Sequence, residues 1–347
     1  MIRKIIVGCV HPSSAFVLSR SDFRFYDPEN KQQPKAGDVV YGEIVYIGQH
    51  SSLENAHGRI HTMVDGRKSI FVFGNRYAPD YYEAVIPEGE LEEEYDLVAR
   101  SGVVSCVLTK NAKIKDPTKI RILGYVCDDQ ENVINTKKYR KIVLGKKSEN
   151  IKKRNRSKVI LVVGTSMNSG KSTTCAACIY ALSSSGHSVR SSKITGTASL
   201  KDILLMQDNG ASHISDFTYL GHPSTYLCSE EDLLDIFNTV DAKYGNSPEN
   251  YLVIEIADGV LQRETAMLLR NRDFMRRVHR TVLCSADALG AIGGIETMYK
   301  EFGIVPHAIS GICCGSPLAI RELSGLTKIP VFHNVTRNVK HIMEIIG

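Results

Sequence analysis

The chain has 347 residues, 43% hydrophobic and 23% charged, ordinary for a soluble globular protein of two domains or one large domain with an appendage. It holds no run of about 18 apolar residues, which excludes a membrane-spanning helix and any membrane partner of that kind. The net charge of +5 is local: GKKSENIKKRNRSK, 145–158, holds seven Lys or Arg against one Glu, and the remainder is close to neutral.

In chain order, MIRKIIVGCVHPSSAF pairs one basic dipeptide with a short apolar run. It lacks the longer apolar core and small-residue cleavage site of a signal peptide, so it reads as a first strand. VVYGEIVYIG, RIHTMV, KSIFVFG, VVSCVLTK and KIRILGYVCDD follow as short β-branched or aromatic runs, separated by turn signals such as DGR, GNRYAPD and PEGE. Strands at intervals of about 10 residues predict a small β-rich barrel or sandwich over residues 1–144. One helical pattern interrupts them, at PEGELEEEYDLVARS. FGNRYAPDYYEAVIP, 73–87, gathers Arg76, Tyr77, Asp80, Tyr81, Tyr82 and Glu83 around a Pro turn. Arg and Tyr together supply donors and stacking faces for a small anionic or planar ligand, and a packed loop explains them equally well. His11, His50, His57 and His61 show no metal-ligand spacing.

The basic stretch at 145–157 reads as a linker; a nucleic-acid contact through 145–158 is the less favoured reading. Beyond it, KVILVVG, HSVRSSKITG, NYLVIEIADG, RTVLCSAD, HAISGICCG and IPVFHN are strands. STTCAACIYALSSSG (closed by Gly186), EEDLLDIFNTVDAKYG, RETAMLLRNRDFMRRV and IETMYKEFG are helices. Apolar strands alternating with helices predict an α/β fold, with a mostly parallel sheet covered on both faces, over 158–347. The nine cysteines are odd in number and mostly sit in apolar runs, the usage of reduced thiols in a cytoplasmic protein. Cys175 and Cys178 have C-x-x-C spacing without a second pair, and helix packing accounts for them.

VVGTSMNSGKSTT, 162–174, carries the chemistry. A strand delivers the chain to Gly164, and a helix starts near Gly170. Glycines let backbone N–H groups encircle phosphate oxygens, and the helix N-terminus adds its positive dipole end. The loop thus spans Gly164, Thr165, Ser166, Met167, Asn168, Ser169, Gly170, Lys171, Ser172 and Thr173. Lys171 reaches the β- and γ-phosphates, and the Ser172 hydroxyl joins the Mg²⁺ shell. This is the pattern of a P-loop NTPase core that binds ATP or GTP, with Mg²⁺. YLVIEIADG, 251–259, is a buried strand ending in a carboxylate, the arrangement that sets a metal-binding acid, Glu255, beside the γ-phosphate. A second acid is expected after Lys193: Asp202, Asp208 and Asp216 are available, and Asp202 and Asp208 are favoured.

The usual loop is G-x-x-x-x-G-K-S/T, whereas five residues separate Gly164 from Gly170 here. A G-T-S-x-x-x-G-K-S/T loop resembles the ATP-dependent ligases typified by cobyrinic acid a,c-diamide synthase, and closely resembles that of dethiobiotin synthetase. Partition and septum-site ATPases carry an additional lysine where this chain has Ser166. SSKITGTAS, 191–199, resembles the dethiobiotin synthetase K-P-x-x-T-G segment at Lys193, Thr195 and Gly196, with Ile194 in place of the proline and two fewer residues before the threonine. The resemblance implies that Lys193 lies over the reacting phosphoryl group and carboxylate. Glu255 aligns with the glutamate of the E-G-A-G-G segment, and Asp258 replaces one of its small residues. GICCG, 311–315, has the form of a glutaminase elbow without the domain such an elbow needs. It resembles instead the strand end at which this family recognises adenine, with KIPVF, 328–332, beside the base. No guanine-reading NKxD motif occurs.

The resemblance covers roughly 158–335. It implies an Mg²⁺- and ATP-dependent ligase that phosphorylates a small-molecule carboxylate or carbamate for attack by an amine or water, with Lys171, Lys193 and Glu255 as catalytic residues. It also implies a homodimer, since such cores often pair near their active sites. Two alternatives stay open: a P-loop kinase of a small molecule or of an RNA 5′-hydroxyl, and an ATP-dependent switch with the β domain as effector.

Overall fold

The computed structural model describes residues 2–5, 8–144 and 156–347. The chain divides into two units. One holds Met1–Lys141 with Gly196–Lys201 and Phe217–Leu227; the other holds Ile142–Thr195, Asp202–Asp216 and Cys228–Gly347. The sequence suggests continuous domains over 1–144 and 158–347, whereas the first unit also takes two short segments from the later part of the chain. Hydrogen bonds explain their membership: Leu200 N–H donates to Glu54 at 2.9 Å, and the Thr136 hydroxyl to the Gly221 carbonyl at 2.6 Å. The expected linker, 145–157, lies outside the described residues except for Arg156 and Ser157. Most of the basic stretch 145–158 is therefore undescribed too.

The first unit is built from β1 (Arg3–Lys4), β2 (Phe25–Asp27), β3 (Val39–Tyr46), β4 (Ser52–Glu54), β5 (Ile60–Thr62), β6 (Lys68–Phe73), β7 (Arg76–Tyr77), β8 (Tyr82–Val85), β9 (Glu94–Ala99), β10 (Val103–Lys110) and β11 (Thr118–Cys127). β4 and β5 form a separate hairpin; the others join one sheet in the order β1-β2-β11-β3-β6-β10-β8-β7. β9 pairs with both β10 and β11, so β3, β6, β10, β9 and β11 close into a ring. Within it the β6–β10 contact is parallel and the rest antiparallel. Closure into a barrel leaves those five strands no open edge. Inside it Phe71, Phe73, Tyr95, Leu97, Val104 and Ile120 are buried, with the Phe73 and Tyr95 rings edge to face at 4.9 Å. Each such side chain contributes roughly 1.5–3 kcal/mol by leaving water. PEGELEEEYDLVARS is not helical: Glu94–Ala99 is the strand that closes the barrel, because Tyr95, Leu97 and Val98 are buried there. Cross-strand burial overrides the helix preference of the Glu run.

The later elements are β12 (Lys158–Gly164), α1 (Lys171–Ser184), β13 (Ser188–Lys193), α2 (Leu200–Asp208), β14 (His213–Asp216), α3 (Glu230–Tyr244), β15 (Asn250–Glu255), α4 (Arg263–Arg270), α5 (Arg272–Met275), β16 (Val278–Ser285), α6 (Ala288–Phe302), β17 (Ala308–Gly311), α7 (Pro317–Leu326) and α8 (Val339–Ile346). Their sheet runs β14-β13-β15-β12-β16-β17, parallel throughout. β12 sits between β15 and β16 and is buried from Val159 to Gly164, which accounts for its unbroken apolar run. IPVFHN contributes only one bridge, Val331 to Ile309, because Pro330 cannot donate to a ladder. Asp241 of α3 is buried and takes both Arg277 nitrogens, Nε and Nη2, at 2.8 Å, with Arg156 Nη2 at 2.6 Å. Arg156, expected in the linker, is thus fixed to this unit. Among the described residues no helix is long and apolar enough to cross a membrane.

Candidate functional site

The carboxyl ends of β12, β13 and β15 bring together most of the residues singled out by sequence. Ligands of open parallel sheets bind outside such strand ends, where the strand order reverses. Val162 pairs with Glu255, and Glu255 with Lys193, so register alone sets these side chains next to the turn that leaves β12 at Gly164.

The turn from Gly164 to Gly170 depends on its glycines. A Cβ on Gly164 would stand 2.3 Å from Ser169 Oγ. Gly170 has φ +95°, and a Cβ there would stand 2.9 Å from Gly311 Cα. Asn168 is left-handed at φ 57°, which Asn tolerates better than most residues. The turn is pinned by Thr165 N–H to the Cys284 carbonyl at 2.8 Å and by Ile312 N–H to the Ser169 carbonyl at 3.2 Å. Thr165 also reaches Ser285 Oγ at 3.4 Å. Ser166 and Asn168 are exposed, and Met167 is half-buried. α1 then starts at Lys171 behind Gly170, with no side chain capping it and no acid in its first turn. Its first N–H groups therefore face away from the helix without an intrahelical acceptor.

Lys171 is buried and donates to the Ser166 carbonyl at 2.7 Å. Burial pulls its pKa down, against the opposing fields of Glu255 and Asp258. The Ser172 hydroxyl lies 3.2 Å from Glu255 Oε1 and 3.4 Å from Asp202 Oδ1. Lys193 Nζ lies 2.5 Å from Asp202 Oδ2 and 3.7 Å from Glu255 Oε1. Burial works against the Lys193 charge, but Asp202 and Glu255 outweigh it and push its pKa up. Glu255 is only 1% exposed; burial pushes its pKa up, with Lys193 opposing. Its second oxygen, Oε2, is buried and has no hydrogen-bond partner among the described residues.

Five expected residues thus converge: Lys171, Ser172, Lys193, Asp202 and Glu255. Asp208 does not join them and is a correction. It is exposed at the far end of α2, six residues after Asp202, which turns it about 240° around the helix from the cluster. Thr173 lies in the first turn of α1, half-buried.

Sequence reasoning missed the hydroxyl network beneath the loop. Thr195 and Thr265 both donate to the Ala257 carbonyl, at 2.6 and 2.8 Å, holding the backbone that leads to Asp258. Thr174 meets Ser310 Oγ at 3.3 Å and accepts from Asn334 Nδ2 at 3.1 Å. Thr174 directly follows the loop residues and Thr195 lies within the 191–199 segment, whereas Thr265, Ser310 and Asn334 carried no signal of their own. GICCG and KIPVF do lie side by side: Ile309 N–H donates to the Pro330 carbonyl at 2.9 Å, and Phe332 N–H to that of Ile309 at 3.1 Å. Cys175 and Cys178 are buried in α1 as free thiols.

In the first unit the 73–87 stretch is a packed hairpin. Arg76 lies over the Tyr81 ring at 5.1 Å and meets His50 Nε2 at 3.0 Å. Tyr82 is fully buried and donates to the Lys115 carbonyl at 3.0 Å.

No family model and no curated protein matches the chain. Among solved structures it is similar to the signal recognition particle receptor FtsY from Elizabethkingia anophelis, at 15% identity over 55% of this chain, with TM-score 0.37. A second structure of that receptor, in complex with GDP, matches at 16% identity over 56% of this chain, with TM-score 0.38. The chain spans 66% and 65% of those two chains. Likeness at this level assigns no activity.

Proposed function

We propose that residues Gly164–Thr173 form a phosphate-binding loop and that the chain uses ATP with Mg²⁺ to phosphorylate a small-molecule carboxylate or carbamate. The observation that carries this reading is the meeting of Lys171, Ser172, Lys193 and Asp202 around Glu255. Three of these groups offer oxygen, and Glu255 Oε2 is buried without a hydrogen-bond partner among the described residues, a donor set suited to a hard divalent cation. Among the described residues no group of three or more His, Cys, Asp or Glu forms a metal cage. Mg²⁺ characteristically takes one or two carboxylates and completes its shell with water and phosphate oxygens. Ser172, Asp202 and Glu255 would hold it, where it supplies positive charge against the transferring phosphoryl group.

The chain's own groups do the rest. The glycine turn and the open N–H groups of α1 cradle the phosphates, and Lys171 moves from the Ser166 carbonyl to a phosphate oxygen. Lys193 stays protonated because two carboxylates face it, so it offers a fixed cation to an acceptor carboxylate. Asp258, whose field reaches both lysines, adds a negative charge where dethiobiotin synthetases have a small residue, and this favours an acceptor that brings a positive group.

The test is ADP release with Mg²⁺, wild type against Lys171→Ala, over a panel of small carboxylic and amino acids with RNA oligonucleotides included. Metabolite-stimulated release that Lys171→Ala abolishes supports the reading. Stimulation by RNA alone replaces it with the kinase, and tight ATP binding without stimulated turnover replaces it with the switch.

A further inference from the structure

The first unit contains a cavity of about 180 Å³. An engineered apolar cavity of about 150 Å³ in another protein takes a benzene ring, so this one admits a ring or a short chain. Its floor is apolar: Ile44, Leu53 and Met63, all buried, belong to the barrel core. Its rim is cationic, with Arg59, Arg67 and Lys68, and none of the lining residues is acidic. Among the described residues none of these three cations has a carboxylate partner within ion-pair distance.

The rim is held by local chemistry. Arg59 and His61 come from the turn and second strand of the β4–β5 hairpin. Asn55 Oδ1 accepts from the His57 and Arg59 N–H groups at 2.9 Å each, which fixes both the turn and the orientation of the Asn55 amide. Its Nδ2 must then donate to His61 Nε2, 3.2 Å away. That contact leaves the His61 proton on Nδ1, a further donor on the cavity wall. Burial and the adjacent Arg59 and Arg67 lower the His61 pKa, so the ring is neutral at pH 7. Arg67 and Lys68 are set by the turn into β6, where Arg67 N–H donates to the Val64 carbonyl at 3.2 Å and Gly66 N–H to that of Ile44 at 2.8 Å.

We propose that this cavity binds a small organic carboxylate, its apolar body on Leu53 and Met63 and its charge held by Arg59, Arg67 and Lys68. Guanidinium groups pair with carboxylates through charge-assisted and often bidentate hydrogen bonds, and a desolvated apolar floor favours a ligand with a hydrocarbon body. This site is independent of the loop at Gly164 and of the reaction proposed there.

Calorimetric titration of the full chain with hexanoate and with 1-hexanol tests it. Hexanoate binds one per chain, and hexanol, of similar body but uncharged, binds about tenfold or more weakly. The double variant Arg59→Gln/Arg67→Gln, exposed positions whose loss leaves the unfolding midpoint unchanged, weakens hexanoate by about tenfold or more. Lys113→Gln, exposed and outside the cavity, leaves it unchanged. No hexanoate binding, equal affinity for hexanol, an unaffected double variant, or an equal loss in Lys113→Gln each overturns the proposal.

Discussion

Lys193→Met isolates the charge balance of the candidate site. Methionine keeps most of the side-chain length but leaves Asp202 and Glu255 facing each other without the ammonium that now stands 2.5 and 3.7 Å from them. At an effective dielectric of about 20, the 3.7 Å attraction alone is about 4.5 kcal/mol. Methionine avoids the desolvation of a buried ammonium, which offsets part of that loss, so a net destabilisation of about 3 kcal/mol is expected. For a unit of this size that lowers the unfolding midpoint by about 6–12 °C. The deficit also depends on pH. Burial already holds Glu255 above its ordinary value of 4.5, and Lys193 is the group that opposes the rise. Without Lys193 the folded-state pKa climbs further above the unfolded one. A raised carboxylate leaves stability intact below the unfolded pKa and removes it as pH rises through the folded value. Denaturant unfolding of wild type and variant at pH about 5 and about 8 should therefore show the larger gap at the higher pH. A variant as stable as wild type at the higher pH, or a gap that does not change with pH, refutes the argument.

Asp241→Ala strands Arg277 and Arg156 around an empty position and should cost about 3–5 kcal/mol in denaturant unfolding. Gly170→Ala forces a left-handed alanine against Gly311; a stability loss of about 1–2 kcal/mol from the backbone is expected. If the proposed function holds, its larger effect is on nucleotide affinity, measured by titration, because the loop must move off β17. Phe73→Ala opens the barrel core beside Tyr95, and a loss of about 3–5 kcal/mol should appear as a lower urea midpoint with unchanged slope.

The parallel half of the fold was legible because burial on both faces leaves unbroken apolar runs, as in β12 and β15. The loop was legible because its glycines are required by backbone geometry at Gly164 and Gly170. What failed did so for nonlocal reasons. β9 reads as helical until its two partners, β10 and β11, are known. Asp202 and Asp208 are equal in sequence, and only the phase of α2 separates them. α2 itself, α7 and α8 were not foreseen. RETAMLLRNRDFMRRV breaks into α4 and α5 at Asn271, whose side chain accepts from Asp273 and Phe274 N–H and so starts a new helix. The cavity over Leu53 and Met63 left no mark in the sequence, because its cations come from two turns whose proximity only the barrel creates.

The buried cysteines of α1 and β16 give this protein a built-in clock. Cys175, Cys178 and Cys284 are fully buried, and burial pushes their thiol pKa values up. A thiol reagent needs access and a thiolate, and the closed molecule offers neither. Labelling at these positions therefore proceeds only through opened molecules, at a rate set by the opening equilibrium. A nucleotide that binds the closed form slows the labelling by one plus the ratio of its concentration to Kd, about a hundredfold at 100 Kd. The native thiols thus report ligand affinity with no introduced probe.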